Sequence, residues 1–267
     1  MKELGLLLVL GMFISFISCN QEPVSPTQQL SPTIEVIGSL NVELVNVGEG
    51  NRTFVFVHDI GADLDDWVRS NIAKELAATN QVIAYNRPGY GKSSFSQNPP
   101  TLISLAHELN KLIEKIANQD RVILIGHAWG ATIARVFTVQ YPEKVAGILM
   151  LDPIHEDQFE DDLNRALPSW YFANVNQASQ AEIDAFNDNL LVLDTLGILP
   201  DKPVTLITAF GPVTSLERRF AAHKSLVVSL SPGGIKHYTL DQIGYQIHLE
   251  SPTTVIEELF ELSQKIR

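Results

Sequence analysis

Between Arg121 and Asp152 the chain reads RVILIGHAWGATIARVFTVQYPEKVAGILMLD, and this stretch restricts the fold more than any other. Val122 to Ile125 is a run of branched apolar residues with the pattern of a buried strand. Gly126-His127-Ala128-Trp129-Gly130 follows as a turn flanked by glycines, and Ala131, Ala134, Val136 and Phe137 then recur at helical spacing as far as Tyr141-Pro142. A second apolar run, Val145 to Leu151, ends on Asp152. Strand, tight turn, helix and strand over this length predict a βαβ unit with parallel strands and a right-handed crossover. A Gly-x-x-x-Gly junction holds its central residue in a strained position above the strand end, with the amides of the next helix directed at whatever sits there. That central residue is Ala128, whose side chain is a single methyl group.

A chain of 267 residues, 45% of them apolar, can bury one sizeable core with or without an appended lid, and its net charge of −12 argues against nucleic acid or an anionic membrane surface as partner. No internal repeat and no Cys/His ligand spacing is present, so neither a metal nor a cofactor is expected. Residues 1–18 read as a signal peptide: Met1-Lys2 is weakly basic, and Leu4 to Ile17 is apolar but short for a membrane span. The run closes on Ser18-Cys19, and Cys19 is the only cysteine. Such an ending resembles the bacterial lipoprotein signal, in which the cysteine is acylated and becomes the new N-terminus. The expectation is therefore an exported protein, lipid-anchored in the bacterial cell envelope through Cys19; the alternative is an ordinary cleaved signal and a secreted or periplasmic protein. Residues 19–32, rich in proline and polar side chains, read as a tether.

From residue 33 to 267 the pattern is that of one domain. Ile34 to Ile37, Val42 to Val47, Thr53 to Val57 and Val82 to Tyr85 read as strands, and Asp65 to Ala78 and Leu102 to Ile116 as helices. Between about 154 and 202 the pattern changes: Trp170, Tyr171 and Phe172 cluster and Ala181 to Leu193 looks helical, which predicts a helical cap inserted over the strand ends, its aromatics lining a pocket or packing on the core. Val204 to Ala209 and Lys236 to Leu240 are further strands; Leu216 to Leu230 and Thr253 to Ile266 are further helices. Repeated βα units with this insertion predict an α/β fold, a doubly wound and mostly parallel sheet, with ligands at the C-terminal strand ends near Asp59, Asn86, Ala128 and Asp152.

Five segments in order carry a resemblance: His58-Asp59-Ile60-Gly61, Tyr85-Asn86-Arg87-Pro88-Gly89-Tyr90-Gly91-Lys92-Ser93, Gly126-His127-Ala128-Trp129-Gly130, Leu151-Asp152, and Gly244-Tyr245-Gln246-Ile247-His248-Leu249-Glu250-Ser251-Pro252. The chain resembles the α/β-hydrolase superfamily from about Ile34 to Ile266. That resemblance implies a serine nucleophile, a histidine base, a carboxylate that orients the histidine, and two backbone amides for the oxyanion. The nucleophile position is Ala128, and the base position is Tyr245, whose phenol does not shuttle protons near neutrality. His248 lies three residues beyond, where Glu250 and Pro252 fix the register, and is expected to be structural or solvent-facing. Asp152 is the one placed carboxylate, either facing the pocket or capping the next turn. Asp59 stands where the family has glycine and, turned inward, would repel an oxyanion. The resemblance places the oxyanion amides at Ile60 and Trp129, and Asn86 where family members often carry aspartate.

Three functions remain in competition. The first is a non-catalytic, hydrolase-like protein that binds a small amphipathic or carbonyl-bearing ligand, or a protein, in a pocket formed by His58, Asp59, Asn86, His127, Trp129 and Tyr245. The second is an active hydrolase, or a serine-independent lyase or oxygenase, on the same fold. The third is a structural or interaction module with its pocket closed.

Overall fold

The structure is a computed structural model and describes residues 30–158, 175–210, 221–227 and 235–266. The leader, Cys19 and most of the tether lie outside the described residues, as do Trp170, Tyr171 and Phe172. Among the described residues eight strands form one sheet: β1 (Thr33–Ile37), β2 (Leu40–Val47), β3 (Thr53–Val57), β4 (Gln81–Tyr85), β5 (Val122–His127), β6 (Val145–Leu151), β7 (Val204–Phe210) and β8 (Ile235–Asp241). Their spatial order is β1-β2-β4-β3-β5-β6-β7-β8. The β1–β2 and β2–β4 pairs are antiparallel and every later pair is parallel. This is the doubly wound, mostly parallel sheet that the βα repeats predict.

Helices cover both faces. On one side α3 (Leu102–Ile116) and α4 (Trp129–Gln140) pack with the cap helix α6 (Phe186–Asp194) into a core that includes Leu109, Ile133, Phe137 and Leu190. On the other, α1 (Leu64–Arg69), α2 (Ile72–Ala77) and α9 (Pro252–Lys265) bury Trp67, Ile72, Val255 and Leu259. Because both faces are covered, β3, β4, β5 and β6 are buried at every position, which is why they read as continuous apolar runs instead of alternating ones. A further cap helix, α5 (Gln177–Asp184), begins with a reciprocal capping box between Asn176 and Ser179; residues 221–227 form α7, and α8 (Ile247–Glu250) precedes α9.

Two helices expected as single pieces are broken. The helix expected over Asp65 to Ala78 is α1 and α2, separated where Ser70 turns its hydroxyl back onto the Trp67 carbonyl at 2.7 Å and Asn71 takes a left-handed φ of 63°. A polar side chain that satisfies its own backbone competes with helix continuation, and asparagine tolerates that conformation. In the cap, Ala181 to Leu193 divides into α5 and α6 at Ala185, whose ψ is 0°.

The β5–α4 junction has the geometry of a nucleophile elbow. Ala128 sits at φ 47°, ψ −110°, a conformation L-residues rarely adopt, and its N–H donates to the Leu151 carbonyl at 2.9 Å. The flanking glycines are required by close approach: a Cβ on Gly126 would lie 2.4 Å from the Ala131 nitrogen, and one on Gly130 would lie 2.1 Å from the Val57 oxygen. Both neighbours are backbone and cannot move aside. Gly130→Ala is therefore expected to lower stability by about 3 kcal/mol or more. Urea unfolding at 25 °C checks this, and a loss under about 1 kcal/mol would contradict so tight an approach of α4 to β3.

Candidate functional site

The loop after β3 carries the deciding residue. Asp59 is 4% exposed, and its side chain points inward at the elbow. Its Oδ1 accepts the backbone N–H of Trp129 at 3.0 Å, its Oδ2 accepts the Tyr245 hydroxyl, and the amide of Ile60 also donates to the carboxylate. Ile60 and Trp129 supply the two amides that the family resemblance assigns to an acyl oxyanion. Their partner here is the protein's own carboxylate. Burial pushes the Asp59 carboxyl up to about 6, opposed by the hydrogen bonds from Tyr245, Trp129 and Ile60 and by the charge of Arg87.

The histidines around this point are neutral and structural. His127 Nε2–H donates to the Tyr245 carbonyl at 2.9 Å, and burial lowers its pKa to about 4. The rings of Trp67, His248, His127 and Tyr245 form a continuous stack with successive centroids 4.5, 4.8 and 4.6 Å apart. His248 is thus buried within the stack, not solvent-facing, and its pKa is held well below the ordinary imidazole value by burial first, and then because protonating it would set it against its neighbours His127 and Arg69. His58 donates Nδ1–H to the Asp59 carbonyl at 2.7 Å and accepts the Arg87 amide on Nε2 at 3.2 Å, so both its nitrogens hold backbone; burial and the Arg87 charge depress its pKa strongly.

Asp152 adopts φ 47° at the end of β6 and turns toward β7, where its Oδ1 lies 3.4 Å from the Ala209 amide and 4.0 Å from Nδ1 of His223. Sequence reasoning missed His223. Its Nε2–H donates to the Pro153 carbonyl at 2.6 Å, its Nδ1 accepts from the Thr208 hydroxyl at 2.8 Å, and that oxygen lies 2.8 Å from Nε2 of His237. With both ring nitrogens engaged, His223 pins the turn after Asp152. The one available signal was a histidine on the apolar side of an expected helix.

The model of the family described as "alpha/beta hydrolase fold" matches residues 52–186. The chain belongs to the α/β-hydrolase fold family. Among curated relatives it is 26% identical over 118 residues to a dihydrolipoyllysine-residue acetyltransferase component of an acetoin cleaving system from Cupriavidus necator, covering 44% of this chain and 31% of that one. It is 28% identical over 115 residues to a 2-hydroxy-6-oxononadienedioate/2-hydroxy-6-oxononatrienedioate hydrolase from Klebsiella pneumoniae, covering 42% and 40%. It is also 28% identical over 151 residues to a mouse (Mus musculus) 1-acylglycerol-3-phosphate O-acyltransferase, covering 48% and 41%. The chain thus spans well under half the length of these relatives. In structure it is similar to epoxide hydrolase A from Mycobacterium thermoresistibile (TM-score 0.69, 18% identity, 89% of this chain and 99% of that one) and to a Vigna radiata epoxide hydrolase mutant (0.70, 15%, 89% and 99%). At such identities the likeness is one of fold.

A cleft of about 440 Å³ adjoins the Asp59–Tyr245 contact, walled by those two residues, His127, Gln246, Asp66 and Arg69 among others. His58, Asn86 and Trp129, expected in the same pocket, do not wall this cleft. His58 is held as described; Asn86 accepts the Leu64 amide at 2.8 Å and donates to Glu43 at 2.9 Å; and the Trp129 ring packs 5.2 Å from Phe186 of the cap. Arg87 ties the cap to this region. It pairs with Glu182 of α5 through two hydrogen bonds of 2.8 and 2.7 Å, donates to the Asp59 carbonyl at 3.1 Å and to the His58 carbonyl, and is joined by Tyr90, whose hydroxyl donates to Glu182 at 3.0 Å.

Asp59 and the histidines have opposite pH signatures. A carboxyl whose folded pKa is raised destabilises the fold above that pKa, and the penalty fades as pH falls. Histidines with depressed pKa values destabilise it as pH falls below about 6.5, the unfolded value. Asp59→Asn removes the first effect and also replaces one acceptor oxygen with a donor NH2, a change that does not depend on pH, so the pH dependence is the readout. The stability of the variant relative to the native chain is expected to rise by about 3 kcal/mol, to order of magnitude, between pH 4 and pH 8. Urea titrations of both proteins at the two pH values check this; an equal difference at both would show that the carboxylate is not what is penalised.

Proposed function

We propose that this chain is a non-catalytic member of its family, a protein that binds rather than cuts. The observation that carries this reading is the Asp59 carboxylate on the Trp129 and Ile60 amides. A hydrolase stabilises developing negative charge at that point; here a charge of the same sign already holds both donors, and a carbonyl oxygen must displace it to enter. The other losses agree. Ala128 has no group to attack with, Tyr245 donates its hydroxyl to Asp59, and the nearby imidazoles are committed to backbone or stacked in the core. The three relatives carry acyl-transferase and hydrolase descriptions, and those activities do not extend to a chain with this site.

The test is stepwise repair, read as p-nitrophenyl butyrate hydrolysis and as labelling by a fluorophosphonate. The native chain and Ala128→Ser should show neither. Ala128→Ser with Tyr245→His should stay at trace level while Asp59 remains, and adding Asp59→Gly should raise the rate at least about tenfold, consistent with the worth of freed oxyanion donors. Robust turnover by the native chain, or by Ala128→Ser alone, would overturn the proposal.

We also propose that the protein works at a membrane surface, exported and held there by lipid on Cys19. Support comes from the apolar run ending at Ser18-Cys19 and the proline-rich segment after it; among the described residues no helix is long and apolar enough to cross a membrane. Two or more acyl chains on one cysteine make such attachment stable. In a bacterial host, Cys19→Ala should move the protein from the membrane pellet to the soluble fraction and abolish incorporation of labelled palmitate. Retention in the pellet by the variant would exclude the anchor.

A further inference from the structure

A second cavity, of about 490 Å³, opens between the β1–β2 hairpin, the loop after β4 and α3, and shares no wall residue with the cleft beside the elbow. One of its wall residues is Tyr85, the last residue of β4, which is 4% exposed. The Tyr85 hydroxyl has no hydrogen-bond partner among the described residues, yet it is not one of the orphaned polar atoms sealed inside the protein. It therefore opens onto the cavity that Tyr85 lines. A hydroxyl so placed can donate to whatever occupies the cavity, water included, so a ligand gains from it the net worth of one hydrogen bond exchanged for another.

The rest of the wall specifies what would meet it. Glu108 and Lys111 come from successive turns of α3, and Ser96 bonds the Glu108 carboxylate from the facing loop. One carboxylate and one ammonium leave the cavity without a net charge to select an ion. Leu40, Phe95 and Leu112 supply an apolar side, and Phe95 is 54% exposed at the rim, where a ligand would cover it. The volume is that of an ordinary small-molecule site.

We propose that this cavity binds a small neutral amphipathic amide: its carbonyl oxygen accepts the Tyr85 hydroxyl, its N–H donates to Glu108, and its apolar chain lies along Leu40, Phe95 and Leu112. In that pose a carboxylate held by the Tyr85 hydroxyl would turn its second oxygen, an acceptor, toward the Glu108 carboxylate, where a primary amide turns an N–H donor. The site stands independently of the closed elbow, since activity restored by repair there would leave this cavity unchanged.

Saturation-transfer NMR on the purified full chain, with hexanamide as probe and hexanoate for comparison, tests it. Hexanamide should bind, hexanoate should bind at least about tenfold more weakly, Tyr85→Phe should weaken hexanamide about fivefold, and Asp59→Asn should leave its affinity as in the native chain. Tyr85→Phe keeps the ring and its packing, and a thermal melt confirms that it folds. Absence of hexanamide binding, equal affinity for hexanoate, no effect of Tyr85→Phe, or a matching loss in Asp59→Asn would each overturn the assignment.

Discussion

An amide pair shaped to hold an anion must hold something. The N–H groups of Ile60 and Trp129 converge because β3 and β5 are adjacent parallel strands and because α4 approaches β3 closely enough that Gly130 admits no Cβ. With no substrate, such donors are buried and each lacks a partner unless the protein provides one, at about 1–3 kcal/mol apiece. Asp59 answers both from within the chain, and Tyr245 satisfies its remaining oxygen. The exchange is not free of penalty, since the carboxyl is pushed up to about 6 by burial. Hydrogen bonding to three donors nonetheless limits that penalty, because an uncompensated buried carboxylate would rise further.

That arrangement depends on a fixed loop, and Arg87 fixes it. Its guanidinium reaches both the Asp59 carbonyl and Glu182 in the cap, and its own amide goes to His58. The ion pair is fully enclosed, with side chains 1% and 3% exposed. A buried pair of this kind contributes little net stability but is costly to break by halves, because the survivor is an unpaired charge. Cap position and Asp59 position are accordingly coupled through one side chain. A cap that lifted would strand Arg87 or Glu182, so the cap is held down by the same group that holds the oxyanion loop.

How much of this could be read from the chain follows from the range of each interaction. The elbow was legible because glycine spacing and apolar periodicity are local, and β3 to β6 were legible because double-sided burial removes alternation. Asp59 was legible as an anomaly but not as a plug: its inward rotamer is decided by Tyr245, 186 residues away, whose hydroxyl bonds it. The break at Ser70 and Asn71 was hidden because both flanking segments share one helical period. His223 was hidden for a different reason. Its partners, Thr208 and His237, face one another only through the parallel register of β7 and β8, and no local pattern records that register.

Ala128 shows why elbow geometry by itself says nothing about turnover. A backbone at φ 47°, ψ −110° costs about 1–3 kcal/mol for a residue with a Cβ, and in an enzyme that strain raises the nucleophile. Here it raises a methyl group, yet it persists. The reason is that the strain belongs to the junction: the Ala128 amide bonds Leu151 of β6, its carbonyl begins α4, and a Cβ added to Gly126 or Gly130 would lie 2.4 or 2.1 Å from main chain. Relaxing the residue would mean moving a helix off two strands. The elbow is thus a requirement of packing that catalysis can exploit, and it survives wherever the sheet does, while the charge and proton chemistry around it are free to be replaced by a single buried carboxylate.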